Sequence, residues 1–380
     1  MITIAAVCEN DKSEDRIGLS PETVKKFANL GCKVQVQSGA GKGSHFSDGE
    51  YEEAGAVIAK DAGSALKGAD ILLAVRRPEA KNIKGASDKA FVVGLLDPFD
   101  KDAGLEALAK TGLTAFAVEL MPRISRAQSM DVLSSQSNLA GYKAVIDAAA
   151  FFDRAIPMMM TAAGTVPAAR VFVMGAGVAG LQAIATARRL GAIVTATDVR
   201  PAAKEQVESL GAKFIAVEDD EFKQAETSAG YAKEMSDEYK AKQAELVADH
   251  TKNQDIIVTT ALIPGRPAPI LISADMVRSM KSGAVIVDLA VERGGNCELS
   301  KPGEVVQEGG VTIMGRFNLA GEVAVNASSL YARNLYAFIE PMIDKENGEL
   351  AIDWDDEIVA GTLIAKGGEL VHPMLAKETT

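Results

Sequence analysis

The chain has 380 residues, 47% of them hydrophobic, with 40 Lys and Arg against 52 Asp and Glu and a formal net charge of −12. That length implies two or three domains with sizeable cores, and that acidity argues against nucleic acid or anionic lipid as the main partner. Cys8, Cys32 and Cys297 lie far apart, as do His45, His250 and His372, so no disulfide framework and no metal site is expected and a reducing compartment fits.

MITIAAVCEN runs straight into a strand pattern, without the basic and apolar regions of a signal peptide. The first half offers strands at Thr3–Val7, Lys33–Gln37, Ile71–Val75, Phe91–Leu96 and Thr114–Leu120. Between the first two, Ser20 reads as an N-cap and Pro21 as the first helical position. Val24, Phe27, Ala28 and Leu30 form the apolar face and Gly31 the stop, giving one βαβ unit. The segment Glu119 to Asn138, ELMPRISRAQSMDVLSSQSN, then crowds Arg123, Arg126, Gln128, Asp131, Ser134, Ser135 and Gln136 around Pro122. On composition it reads as a polar hinge, at a domain junction where pockets tend to form. Ser135 to Ile156 reads as a long helix joining the halves. Pro157 to Ala187 is the most apolar region, but Pro167 and Arg170 break it. No run approaches the roughly 20 residues of a membrane span, so no direct membrane insertion is expected.

The second half repeats the alternation, with strands at Arg170–Met174, Ile193–Thr197, Lys213–Val217, Asp255–Ala261, Ala284–Leu289 and Val311–Met314. Their continuous Val, Ile and Ala character suits strands covered on both faces. The stretch Glu218 to Gln243 is charged and long for a connection. It reads either as a solvated loop entering a charged helix or as a flap over a bound ligand. After about Val325 come a helical run, Leu330 to Phe338, and short strand-like pieces at Glu349–Asp353 and Gly361–Lys366, expected to pack back on the first domain. The fold class is therefore α/β: two Rossmann-like doubly wound parallel-sheet domains with a cleft between them. The expected domains are residues 1–134 completed by 325–380, and residues 135–324.

Gly175-Ala176-Gly177-Val178-Ala179-Gly180 lies between a strand and a helical run that ends at Gly191, and Asp198 closes the next strand. Gly175 permits the tight turn, Gly177 lets backbone approach a pyrophosphate, and Gly180 lets the helix pack on the strand. The helix start favours phosphate. Asp198 can accept both ribose hydroxyls and would repel a 2′-phosphate, which favours NAD(H) over NADP(H). Arg200 stands close enough to soften that preference.

These segments, with PMMMTAAGTVPAARVFVMGAGVAGLQAIATARRLGA, TDVRPAAKEQVESLGAKF and TTALIPGRPAPILI, closely resemble the NAD(H)-binding alpha subunit, domain I, of proton-translocating NAD(P) transhydrogenase. The likeness is to the split form, whose alpha subunit is a separate polypeptide. It covers nearly the whole chain. It implies that RISRAQSMD is the nicotinamide-side loop, with Arg123, Ile124, Ser125, Gln128, Asp131 and Ser134 carried over. Arg123 and Asp131 would orient the carboxamide, and Gln128 would reach toward the partner's nicotinamide. Val178, Asp198, Val199 and Arg200 would contact the adenosine side, Gly230, Tyr231 and Gln243 would lie near the nucleotide, and Ala261 and Leu262 would line the pocket. The resemblance further implies a homodimer, an NADP(H)-binding beta subunit and a membrane-spanning alpha-2 subunit as partners. The chain would then lie on the cytoplasmic face of the inner membrane, peripheral through those subunits.

Alanine dehydrogenase is the rival, because it shares this fold. Oxidising an amino acid needs a base and a cation for the substrate carboxylate. Amino-acid enzymes of this family carry a KVKEP-like motif and a histidine on the next strand. Here the matching residues are Ala74-Val75-Arg76-Arg77-Pro78 and Leu95-Leu96-Asp97-Pro98, and only Arg16 remains. Hydride exchange between two nicotinamides needs no such base. A non-catalytic NAD-binding module is the remaining alternative.

Overall fold

A computed structural model describes residues 1–375 apart from 88, 101, 224–234 and 264. It divides the chain into two compact units, Met1–Gln136 with Ala320–Thr380, and Ser137–Leu319.

In the first unit, strands β1 (Thr3–Ala6), β2 (Lys33–Gln37), β3 (Val57–Ala59), β4 (Ile71–Arg76), β5 (Phe91–Leu95) and β6 (Thr114–Ala117) stand in the order β6-β5-β4-β1-β2-β3, all parallel. This is the doubly wound order, with its switch point between β1 and β4. Alternate side chains serve opposite faces. On β4, Ile71, Leu73 and Val75 enter one core cluster while Leu72 enters another. The helix Pro21–Asn29 starts at a Ser20–Thr23 capping box and buries Val24 and Phe27, as its sequence pattern requires.

The second unit begins with a hairpin of β7 (Met159–Thr161) and β8 (Gly164–Val166), exposed along its length. Its sheet contains β9 (Arg170–Met174), β10 (Ile193–Thr197), β11 (Lys213–Phe214), β12 (Ile256–Thr259), β13 (Val285–Asp288), β14 (Val305–Glu308) and β15 (Val311–Met314), in the order β11-β10-β9-β12-β13-β15-β14. Of these, β14 runs antiparallel, paired with β15 across Gly309 and Gly310, whose φ values are +59° and +83°. Val171 and Val173 of β9 face one core and Phe172 and Met174 the other. The switch point lies between β9 and β12.

The tail returns to the first unit. The helix Ala324–Ile339 buries Tyr331, Leu335 and Phe338 in its core. A small hairpin, β16 (Ile343–Asp344) with β17 (Glu349–Leu350), follows. Then β18 (Leu363–Lys366) pairs antiparallel with β6 and with β19 (Glu369–Leu370) at the sheet edge. The expected joining helix spans Val132–Phe151, three residues earlier at its start than the sequence pattern suggested, because Asp131 caps it through Ser134.

Candidate functional site

In the second unit the glycine loop follows β9 at the switch point, where open α/β sheets hold their ligands. Each glycine has a different reason. Gly175 has φ +101°, and a Cβ there would lie 2.6 Å from Thr260 Oγ1, which donates to Gly175 O at 3.0 Å. A Cβ on Gly180 would lie 1.8 Å from Gly175 O, so helix and strand pack closely only without it. Gly177 has φ −77°, open to any residue, and nothing lies within 4 Å of its absent Cβ. Neither backbone nor packing asks for glycine there. What a side chain would obstruct is the approach of an outside group. Gly177 also starts the Val178–Arg189 helix without any side-chain cap, so the first-turn N–H groups are offered to an anion.

Asp198 stands directly beside this loop. Its Oδ2 accepts from Ala176 N at 2.7 Å and from Arg200 Nη2 at 3.0 Å. Its Oδ1 accepts from Arg200 N and Nε, both at 2.9 Å. Arg200 also reaches Ala176 O at 3.3 Å, so it bridges the loop and the carboxylate. Around this polar centre Val178, Val199 and Leu262 stay 40%, 63% and 52% exposed, apolar surface at the mouth of a loop. Ala261 is held by Asn296, which accepts from its N and donates to its O, both at 2.9 Å. Asn296 is itself fixed by buried Asp288, whose carboxylate takes Asn296 N, Cys297 N, Ala290 N and Thr259 Oγ1. Gln243 spends its side chain on Val217 N (2.8 Å) and Thr197 Oγ1 (3.2 Å), tying the end of β10 to the helix Asp237–Thr251. Gly230 and Tyr231, and with them most of the expected flap, lie outside the described residues.

In the first unit, Ser125–Met130 form a short 3₁₀ helix. Ala127 and Met130 are buried, while Arg123, Ser125 and Gln128 face outward and Ile124 is half-buried. Both carboxylate oxygens of Asp131 hold Ser134, through its N at 2.9 Å and its Oγ at 2.5 Å. These two residues therefore act as a helix cap here.

At the ends of β1 and β4 lies a buried charged cluster. Arg16 donates to both oxygens of Glu14 at 2.7 Å and to Gln136 Oε1 at 2.9 Å. Arg76 Nε joins Glu14 at 2.9 Å. Burial raises the Glu14 carboxyl, yet the two arginines outweigh it and hold it below its ordinary value. Glu9 accepts from Val75 N and Arg76 N, and burial pushes its carboxyl up to about 7. Glu119 is pushed to about 7 by burial as well. Its Oε1 takes Asp97 N at 2.6 Å, while Oε2 is buried with no hydrogen-bond partner. Asp97 has φ +51°, in the left-handed region.

The structure thus gathers Gly175, Gly177, Val178, Gly180, Asp198, Val199, Arg200 and Ala261 in one unit, and Arg123, Gln128, Asp131 and Ser134 in the other. Sequence reasoning missed Thr260 and Asn296, which shape the floor of the loop. A threonine directly after a core strand was the available signal for the first, and Asn296 offered none.

Residues 5–140 match the family described as "Alanine dehydrogenase/PNT, N-terminal domain", and residues 144–373 match its C-terminal domain. The chain is 54% identical over 378 residues to the first portion of a split NAD(P) transhydrogenase subunit alpha from Rhodospirillum rubrum, covering 98% of each. A solved transhydrogenase from Sinorhizobium meliloti superposes with a TM-score of 0.89 at 56% identity, over 98% of this chain and 100% of that one. A solved L-alanine dehydrogenase superposes with a TM-score of 0.82 at 25% identity, over 98% of each.

Proposed function

Since the chain belongs to the alanine dehydrogenase/PNT family, on its transhydrogenase alpha-subunit side, we propose that it binds NAD(H) as a substrate and passes hydride directly to NADP⁺ held by a partner subunit. The observation that carries the binding half is Gly177, a glycine that only an outside group explains, beside an uncapped helix start and the Asp198 carboxylate. The pyrophosphate would rest on Gly175–Gly180. The adenosine ribose would take Asp198, and Val178, Val199 and Leu262 would cover the adenosine side. A carboxylate at Asp198 disfavours a 2′-phosphate, which is why NADH is the preferred donor.

Hydride exchange between two nicotinamides moves no proton at the reacting carbons. It needs the rings held at near-attack distance with water kept away. The residues of this chain would do the holding. Arg123 and Asp131 would orient the carboxamide, Ile124, Ser125 and Ser134 would shape the loop around it, and Gln128 would reach toward the second ring.

Amino-acid oxidation is the weaker reading. The one cation it would inherit, Arg16, is buried and already engaged by Glu14 and Gln136. Ala74 supplies no charge, Arg76 pairs with Glu14, and Asp97 stands where the histidine would be.

The same reading gives this subunit an NADP(H)-binding beta subunit and a membrane-spanning alpha-2 subunit as partners. The latter would couple hydride transfer to proton translocation and hold the chain on the cytoplasmic face. No helix among the described residues is long and apolar enough to cross a membrane. A homodimer is part of the proposal, and the exposed Met158, Met159, Met160 and Val166 of the β7–β8 hairpin offer an apolar surface for the second copy. The test mixes this protein with an NADP(H)-binding subunit and follows NADH-dependent reduction of NADP⁺, with alanine and NAD⁺ as the control pair. Transfer without alanine oxidation is expected.

A further inference from the structure

We propose that Asn334 and Asp356, both in the C-terminal segment of the first unit, are positioning residues that fix the 123–131 loop in the register hydride transfer needs. The proposal rests on the reading of that loop given above.

A six-residue 3₁₀ helix has poor hydrogen-bond geometry of its own and holds its shape only through its surroundings. Ala127 and Met130 seat it on the core, which sets the face it presents but not its placement along that surface. Two polar latches do the rest. Asn334, only 8% exposed on the helix Ala324–Ile339, donates from Nδ2 to Ser129 O at 2.7 Å and accepts from Ser135 Oγ at 2.7 Å. Both ends of its amide are used, and it joins the loop's carbonyl to the first turn of the Val132–Phe151 helix. On the other side Arg126 makes a bidentate pair with Asp356, at 2.6 Å and 3.1 Å. The same carboxylate caps the helix Glu357–Thr362 by accepting Ile358 N at 2.7 Å.

Gln128 sits between these points, two residues after Arg126 and one before Ser129. Its outward side chain therefore projects from backbone pinned on both sides by residues more than two hundred positions away. An exposed ion pair adds little stability. A bidentate fork does fix direction, and a buried amide satisfied at both ends fixes distance. Neither residue is placed against a nicotinamide, and both act through Gln128.

The test uses Asn334→Asp, Asn334→Ala and Asp356→Asn, each alone and combined with Gln128→Asn, in the full-length protein mixed with an NADP(H)-binding subunit. Asn334→Asp keeps the shape and sets an oxygen against Ser129 O, and Asp356→Asn keeps the cap and loses the charge, so both remain informative if Asn334→Ala fails to fold. The single-turnover rate at saturating NADH should fall between about tenfold and a hundredfold. NADH affinity should change by less than about twofold, and in the Gln128→Asn background the further loss of rate should also stay below about twofold. Equal rate losses in both backgrounds, a loss of affinity that parallels the loss of rate, or an unchanged rate would each overturn the proposal. If wild type transfers no hydride, or Gln128→Asn transfers at the wild-type rate, the reading of the loop has failed instead.

Discussion

Asp198 receives four hydrogen bonds, which is about the capacity of a carboxylate. A ribose can bind there only if Arg200 yields the two places held by its guanidinium. The two hydroxyls would then replace Nε and Nη2 one for one, while Ala176 N and Arg200 N keep the carboxylate aimed. Asp198 was legible in the sequence from its place at the end of the second strand. Its pairing with Arg200 was not, because side-chain direction in the turn after a strand leaves no mark in the order of residues. Glu119 is the other informative residue. Burial raises its carboxyl from the ordinary 4.5 to about 7, so the folded state binds more protons than the unfolded chain between those values. Its contribution to stability is therefore greatest below about pH 4.5 and falls as pH rises to about 7. Wild type should lose stability between pH 5 and pH 8 in urea unfolding, and Glu119→Gln should lose less over the same interval, by on the order of 1–3 kcal/mol. Identical pH dependence in both proteins would show that Glu119 is ionised throughout.

At the scale of elements, Lys33–Gln37, Arg170–Met174, Ile193–Thr197 and Val311–Met314 have the same limits in sequence pattern and structure. These strands are buried on both faces and bounded by turns, so pattern and packing agree. The strand expected at Lys213–Val217 stops at Phe214, and Val217 N is taken by the Gln243 side chain instead of the ladder. β14 was missed although Gly309-Gly310 between two β-rich runs is a hairpin signal. Its half-exposed VVQE lacked the apolar continuity of the other strands. The β7–β8 hairpin was missed because it packs on no core and so shows no alternation. The glycine loop was legible as a motif, but the different reason for each glycine needed coordinates. That difference is testable. Gly177→Ala should leave the melting temperature unchanged or slightly raised and weaken NADH binding at least tenfold, since its Cβ would meet no protein atom. Gly180→Ala should lower the melting temperature clearly, since its Cβ would collide with Gly175 O. Calorimetry and an NADH titration separate the two. A Gly177→Ala protein with normal NADH affinity would remove the main support for nucleotide binding at this loop.

For the molecule as a whole, the chain leaves its first unit for nearly two hundred residues and returns to finish it. β18 extends the sheet beside β6, and the helix Ala324–Ile339 brings Asn334 to Ser129 across 205 positions of sequence. Contacts of that span are invisible to local patterns, which explains why the nicotinamide-side loop read as a polar hinge on composition and gained a role only through resemblance. The exposed hairpin belongs to this scale as well. Met160 is 78% exposed on a strand with no core beneath it, an unusual place for methionine unless another surface covers it. Met160→Glu should shift the protein from dimer toward monomer in analytical ultracentrifugation while leaving its fold intact, and an unchanged sedimentation profile would show that the hairpin holds no second copy. Direct transfer itself is open to one decisive experiment. NADH carrying deuterium at the transferable position is mixed with this protein and an NADP(H)-binding subunit, and the NADPH formed is analysed by mass spectrometry. Direct transfer predicts that the deuterium appears in NADPH without loss to solvent and that alanine is not required. NADPH without deuterium, or nicotinamide reduction that depends on alanine, would contradict it.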